Sequence, residues 1–293
     1  MSILINKDTK ILVSGITGKE GTFHSKKMMA MGSNVVCGVT PGKGGTEHLG
    51  VPVYDSVEEA LDNHEIDVCG IFVPARFTKN AVDEAVNAGI EFVVVITEGI
   101  CPHDTLKFLS NAEKKGVKIL GPNTPGLLTP GESKIGVLAT EYVKKGNIGV
   151  ISRSGTLTVE ICQYLMKEGY GQSTIVGLGG DAVVGSTFKD IYKLFEDDNE
   201  TEAVVIVGEI GGSMEEELAE YIKGSDKSMP TTAFIAGQNA PPGKKLGHAG
   251  AIIEGGKGSA DSKIDALTEA GVKIARVPWE AGKPLKENLK VKP

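Results

Sequence analysis

Lys10-Ile11-Leu12-Val13-Ser14-Gly15-Ile16-Thr17-Gly18-Lys19-Glu20-Gly21 decides the fold. A short apolar run, right for a buried strand, passes directly into three glycines spaced G-x-x-G-x-x-G, and a helix is expected from about Thr22 to Met31. Strand, glycine-rich turn and helix together present backbone N–H groups and a helix N-terminus to a phosphate. The spacing is not the G-x-G-x-x-G of most dinucleotide binders, and a plain tight turn would satisfy it equally well.

The next strand, Asn34–Val39, ends in Thr40-Pro41-Gly42-Lys43-Gly44-Gly45. An NAD site would place an acidic residue near here for the ribose hydroxyls. Lys43 stands there instead, and a cation on a glycine-rich loop favours a ligand with an extra phosphate, such as coenzyme A or NADP. Further strands are expected at Ile66–Val73, Phe92–Ile96 and Val117–Leu120, with a helix at about Thr78–Ala88. Phe92–Ile96 has no polar interruption, as a parallel strand covered on both faces requires. Five strands alternating with helices predict a doubly wound parallel sheet. Its ligands bind at the strands' carboxyl ends, where the loops 15–21, 40–45, 74–76 and 97–99 fall.

Residues 121–146 lack periodicity and are rich in glycine and proline, which reads as a connector. The pattern then restarts with strands at Asn147–Ile151, Thr174–Leu178, Ala203–Val207, Thr231–Ile235 and Val272–Ala275, so a second α/β sheet is expected. Ser154 is placed to cap a helix from about Leu157 to Glu168, and Ser213 with Glu216 to form a capping box. The loop after Ile235 carries Leu246-Gly247-His248-Ala249-Gly250-Ala251-Ile252-Ile253. A histidine among glycines is uncrowded and suits a nucleophile or a carrier of a transferred group. His248, Glu209 and the helix start after Ser154 are expected on one rim. Glu209 would bind one imidazole nitrogen and fix the tautomer, while the other nitrogen attacks phosphorus and the helix terminus holds the dianion.

Composition narrows the class. The chain's 39 glycines among 293 residues are almost twice the usual share of about 7%, and they gather at strand ends rather than in a tail. A formal charge of −7 argues against a nucleic-acid partner. No apolar run approaches the roughly 20 residues that span a bilayer, so no membrane association is expected. The N-terminus lacks a basic region followed by an apolar core, which points to a cytoplasmic chain. Cys37, Cys69, Cys101 and Cys162 stand far apart with no metal-ligand spacing. They read as four lone buried thiols, and no metal site is expected.

With these motifs assembled, the chain resembles the α subunits of succinate–CoA ligases from Ser2 to about Ala275. The resemblance is carried by Gly15-x-Thr17-Gly18-x-x-Gly21, Gly38–Gly45, Ile96–Gly99, Gly121-Pro122-Asn123, Ser152–Thr158, Gly208–Gly212 and Gly247–Ile253. It implies an N-terminal Rossmann-like CoA-binding domain (residues 1–125), a connector (126–146) and a C-terminal flavodoxin-like ligase domain (147–293). Thr17, Gly18, Lys19, Glu20, Lys43, Ile96, Thr97 and Glu98 would bind coenzyme A. His248 would carry phosphate with Glu209 as its partner, and Ser154, Gly155 and Thr156 would stabilise the phosphate. ATP or GTP with Mg2+ would belong to a separate β subunit of ATP-grasp fold, in an αβ or α2β2 assembly, and the acid would be a small dicarboxylate. Malate– and citrate–CoA ligases share this architecture; an NADP-dependent oxidoreductase and a non-catalytic CoA-binding module are the readings from other classes. Val159, Ala182 and Thr124 depart from the common family pattern, where tyrosine, proline and cysteine are frequent.

Overall fold

The structure is a computed structural model that describes residues 2–289 apart from 228, 242, 246, 254–257 and 288. Leu246, which opens the histidine stretch, and residues 290–293 of the expected ligase domain therefore lie outside the described residues. The chain forms two compact units, residues 5–138 with 183–186, and residues 1–4, 139–182 and 187–293.

The first unit runs β1 (Lys10–Ser14), α1 (Lys19–Ala30), β2 (Asn34–Val39), β3 (Thr46–His48), β4 (Val51–Tyr54), α2 (Val57–Asn63), β5 (Val68–Ile71), α3 (Ala75–Asn87), β6 (Phe92–Val95), α4 (Pro102–Lys115), β7 (Lys118–Leu120), β8 (Gly126–Thr129) and β9 (Ser133–Gly136). Its main sheet has the order β3-β4-β2-β1-β5-β6-β7, parallel except for β3. Apart from that added edge strand, this is the Rossmann-like order, which reverses between β1 and β5. Every residue of β5 and β6 is buried, as parallel strands covered on both faces require. α3 buries Thr78, Val82, Ala85 and Val86, a stripe at helical spacing, against a core that includes Leu12, Val93 and Phe108. Ser14 lies opposite both Val39 and Ile71, so β1, β2 and β5 end level and their loops share one edge.

The second unit runs β10 (Lys145–Ser152), α5 (Gly155–Lys167), β11 (Gln172–Gly177), α6 (Phe188–Glu196), β12 (Ala203–Glu209), α7 (Met214–Gly224), β13 (Thr231–Ala236), α8 (Ala260–Glu269) and β14 (Lys273–Ala275). These five strands are parallel in the order β14-β13-β12-β10-β11, the flavodoxin-like arrangement. α6 buries Phe188, Ile191, Tyr192 and Phe195, and a capping box of Thr187 and Asp190 sets its start. Ser152 pairs with Val207, so β12 runs two residues beyond β10 and carries Glu209 forward at the point where the strand order reverses.

Several expectations need correction. The first sheet has seven strands among the described residues rather than five; β3 has three polar residues and β4 only four residues, one of them Pro52, so neither is long enough to show alternation. The stretch 126–146, expected as a connector, holds the antiparallel pair β8–β9, in which every residue is buried. α1 begins at Lys19 rather than about Thr22, because Gly18 is its cap and Gly21 lies inside the helix. Ser213 and Glu216 do not form a capping box. Ser213 adopts φ −131° and ψ 9°, not the extended geometry that aims a hydroxyl back at the helix, and it donates to Glu217 Oε1 at 2.7 Å. Cys37, Cys69 and Cys162 are buried, but Cys101 is exposed at the start of α4. No helix of the described residues is long and apolar enough to cross a membrane.

Candidate active site

In the first unit, the glycine-rich turn is built by close approach. Gly15 takes φ +84° and donates its N–H to Val39 O at 2.8 Å, and Gly18 N–H returns to Gly15 O at 3.0 Å. α1 passes so near that a Cβ on Gly21 would lie 2.1 Å from Gly15 O. No side chain larger than hydrogen fits there. Gly18 offers the helix no side-chain cap, so the first-turn N–H groups face outward without a side-chain acceptor, a ready anion site. Thr17 Oγ1 donates to Thr40 Oγ1 at 3.2 Å and ties this turn to the loop carrying the exposed Lys43. Lys19 and Glu20 are exposed in the first turn of α1. Thr97 Oγ1 donates to Val73 O at 2.7 Å, next to the half-buried Ile96 and exposed Glu98. Gly18, Lys19 and Glu20 thus stand on one helix start with Thr17 beside them, and Ile96, Thr97 and Glu98 follow β6 in the same unit.

In the second unit, Glu209 ends β12 almost fully buried, with its Oε2 2.8 Å from His248 Nδ1. The pairing commits Nδ1 and leaves Nε2 for chemistry. The His248 side chain is one-third exposed, open enough for a reactant to reach. This hydrogen bond raises the imidazole pKa above its ordinary value, against the opposing effect of burial; the Glu209 charge adds to the rise, Arg153 opposes it and Asp181 supports it. Gly180 lies against the ring, and Gly250 N–H donates to Gly180 O at 3.0 Å, fixing the histidine loop to that floor.

Ser154 caps α5 as expected, its Oγ accepting Leu157 N–H at 3.3 Å. The hydroxyl engaged in the cap orients the first turn, where Gly155 and Thr156 follow. The structure brings Glu209 and His248 into direct contact; Ser154 is linked to them through its neighbour Arg153. Arg153, which the motif reading passed over, is buried, with Nη2 3.3 Å from Glu209 Oε1 and Nη1 donating to Gly211 O at 3.1 Å. Its signal lay in Ser152-Arg153-Ser154: an arginine between small polar residues at a buried strand end needs an anion.

The fold and this site define a chain of the CoA-ligase class. Residues 6–99 match the family model of a CoA binding domain, and residues 151–273 that of a CoA-ligase. The ADP-forming succinate–CoA ligase subunit alpha 2 of Archaeoglobus fulgidus is 51% identical over 289 residues, covering 99% of this chain and 100% of its own. The corresponding subunit alpha of Aquifex aeolicus is 51% identical over 293 residues, covering 99% and 96%. The chain belongs to the succinate–CoA ligase α-subunit family. Methanosaeta concilii ATP citrate lyase has the same fold, with a TM-score of 0.88 at 24% identity over 97% of this chain; the chain spans 50% of that protein's length.

Proposed function

We propose that this chain is the α subunit of a nucleoside-triphosphate-dependent succinate–CoA ligase, cytoplasmic, that works through phosphate carried on His248. The observation that carries the reading is the Glu209–His248 contact at 2.8 Å, which holds Nδ1 and frees Nε2. Nε2 attacks the terminal phosphorus of the nucleotide and the diphosphate leaves. A succinate carboxylate oxygen then attacks the phosphohistidine phosphorus, which returns the imidazole and forms an acyl phosphate. The CoA sulfur attacks the acyl carbon and inorganic phosphate departs. Splitting the transfer in this way replaces one high barrier by smaller ones.

Each residue has a part. Glu209 fixes the tautomer and supports the imidazolium that forms on either side of the transfer. Ser154, Gly155 and Thr156 offer the N-terminus of α5 to the transferred phosphate. Thr17, Gly18, Lys19 and Glu20 hold the CoA phosphates, Glu20 through its N–H, with Lys43 supplying a counter-charge and Ile96, Thr97 and Glu98 lining the same site. The functional division follows the sequence: residues 1–125 for CoA, 147–293 for the relay, and 126–146 between them. ATP or GTP with Mg2+ is assigned to a β subunit of ATP-grasp fold, in an αβ or α2β2 assembly.

The test is to purify the chain with its β subunit, add Mg2+ with ATP or GTP, and map acid-labile phosphate after digestion. Phosphate on the peptide containing His248, discharged by succinate and CoA together, is the expected result. Discharge by malate or citrate alone would change the acid, and absence of phosphate with CoA still bound would leave a binding module.

A further inference from the structure

Lys263, on α8, is fully buried, as is its partner Glu215 on the first turn of α7. The ammonium meets three acceptors: Glu215 Oε2, Glu216 Oε2 at 3.1 Å and Gly212 O at 3.1 Å. Its donor capacity is therefore complete. Glu215 has a second oxygen, and that oxygen faces the site: Oε1 accepts the backbone N–H of Glu209 at 3.1 Å. The carboxylate packs so closely on β12 that a Cβ on Gly208 would lie 2.7 Å from it. The two ends of the turn from Glu209 to Gly212 are thus gripped from one ammonium, directly at Gly212 and through Glu215 at Glu209.

A buried ion pair is a poor device for stability alone, since a packed apolar pair of equal volume often serves as well or better. What an apolar pair would not supply is an acceptor for Glu209 N–H and a donor for Gly212 O. We propose that Lys263 and Glu215 are positioning residues for the phosphate relay: they set the 209–212 turn so that the Glu209 carboxylate stays on His248 Nδ1. The proposal rests on the reading of His248 as the phosphorylated residue.

The test compares two double variants of the full chain with its β subunit, Lys263→Met/Glu215→Leu and Lys263→Met/Glu215→Gln. Both remove the charge pair, but only the glutamine variant keeps an acceptor for Glu209 N–H. Three quantities are read: CoA binding with the unfolding temperature, the 15N shifts of the His248 ring nitrogens, and single-turnover phosphorylation by ATP. The leucine variant should fold and bind CoA, yet show a mixed imidazole tautomer and a phosphorylation rate lower by roughly 10- to 100-fold, the scale seen when a histidine's supporting hydrogen bonds are removed. The glutamine variant should recover much of that loss. A folded leucine variant with the original tautomer and rate would overturn the proposal. Should the leucine variant not fold, the glutamine variant is compared directly with the unsubstituted chain, and an unchanged rate and tautomer there would remove the role given to Lys263. The ring-nitrogen shifts need no phosphate, so a chain never phosphorylated on His248 would refute the relay while still reporting whether Glu215 positions Glu209.

Discussion

Gly180 lies directly beneath His248: a Cβ built on it would fall 2.4 Å from the imidazole Cγ and 2.8 Å from Nδ1. The ring is located from two sides, by this backbone floor and by the carboxylate of Glu209. Gly180→Ala would push the ring off its floor and away from that carboxylate. Displacement of a reacting group by about 1 Å costs on the order of 100-fold in rate. Phosphate incorporation from ATP should fall by that scale while CoA binding stays unchanged, measured on the same preparation.

Glu209→Gln tests the electrostatic role. The neutral imidazole is the nucleophile, so phosphorylation weakens on the acid side of the His248 pKa. Glu209 raises that pKa, and its removal should move the acid limb of the pH–rate profile to lower pH. The amide can also donate to Nδ1 and favour the wrong tautomer, so the plateau rate should drop by about 100-fold or more. A profile that keeps its acid limb in place would refute this role for the carboxylate.

The same pairing has a signature in stability. His248 has a folded-state pKa above its ordinary 6.5. The charged pair therefore contributes stability that is complete below the unfolded value and is lost as pH rises through the folded one. His248→Asn should unfold more easily than the parent chain at acid pH, and the gap should close toward alkaline pH. Denaturant titrations across that range measure it.

Arg153→Met leaves Glu209 Oε1 buried without its cation and Gly211 O without a donor. Breaking a buried pair from one side costs about 3–5 kcal/mol, an upper figure here because His248 still faces the other oxygen. Thermal unfolding should show a large loss, whereas Arg153→Lys should recover only part of it, lacking the forked donors that reach both acceptors.

Gly21→Ala separates the two sites. The methyl would meet Gly15 O and force the helix start off the turn, at a strain of about 1–3 kcal/mol. CoA affinity should weaken by more than about tenfold, while phosphorylation of His248 by nucleotide in the presence of the β subunit should be retained.

Strands β1 and β2 were legible to the residue because each is a clean apolar run closed by glycine or proline. The rim holding Glu209 and His248 was legible too, since strand ends in a parallel sheet define where loops gather. Other features depend on contacts between distant segments. Gly21 reads as part of a turn until the tertiary fold lays the helix over Gly15. Lys263 sits in Ala260-Asp261-Ser262-Lys263 like any solvated helix lysine, and only the packing of α8 on α7 buries it. Arg153 was hidden inside a motif read for its serine. The β8–β9 pair was masked by its own glycines, which break periodicity at the places where the two strands come together.

The thiols add a practical consequence. Burial pushes Cys37 and Cys162 up to about 12 and raises Cys69 further, while Cys101 stands open at the start of α4. In the native chain a maleimide fluorophore therefore has a single address. For optical spectroscopy the wild-type sequence already comes with one attachment point, with no cysteine to remove and none to add.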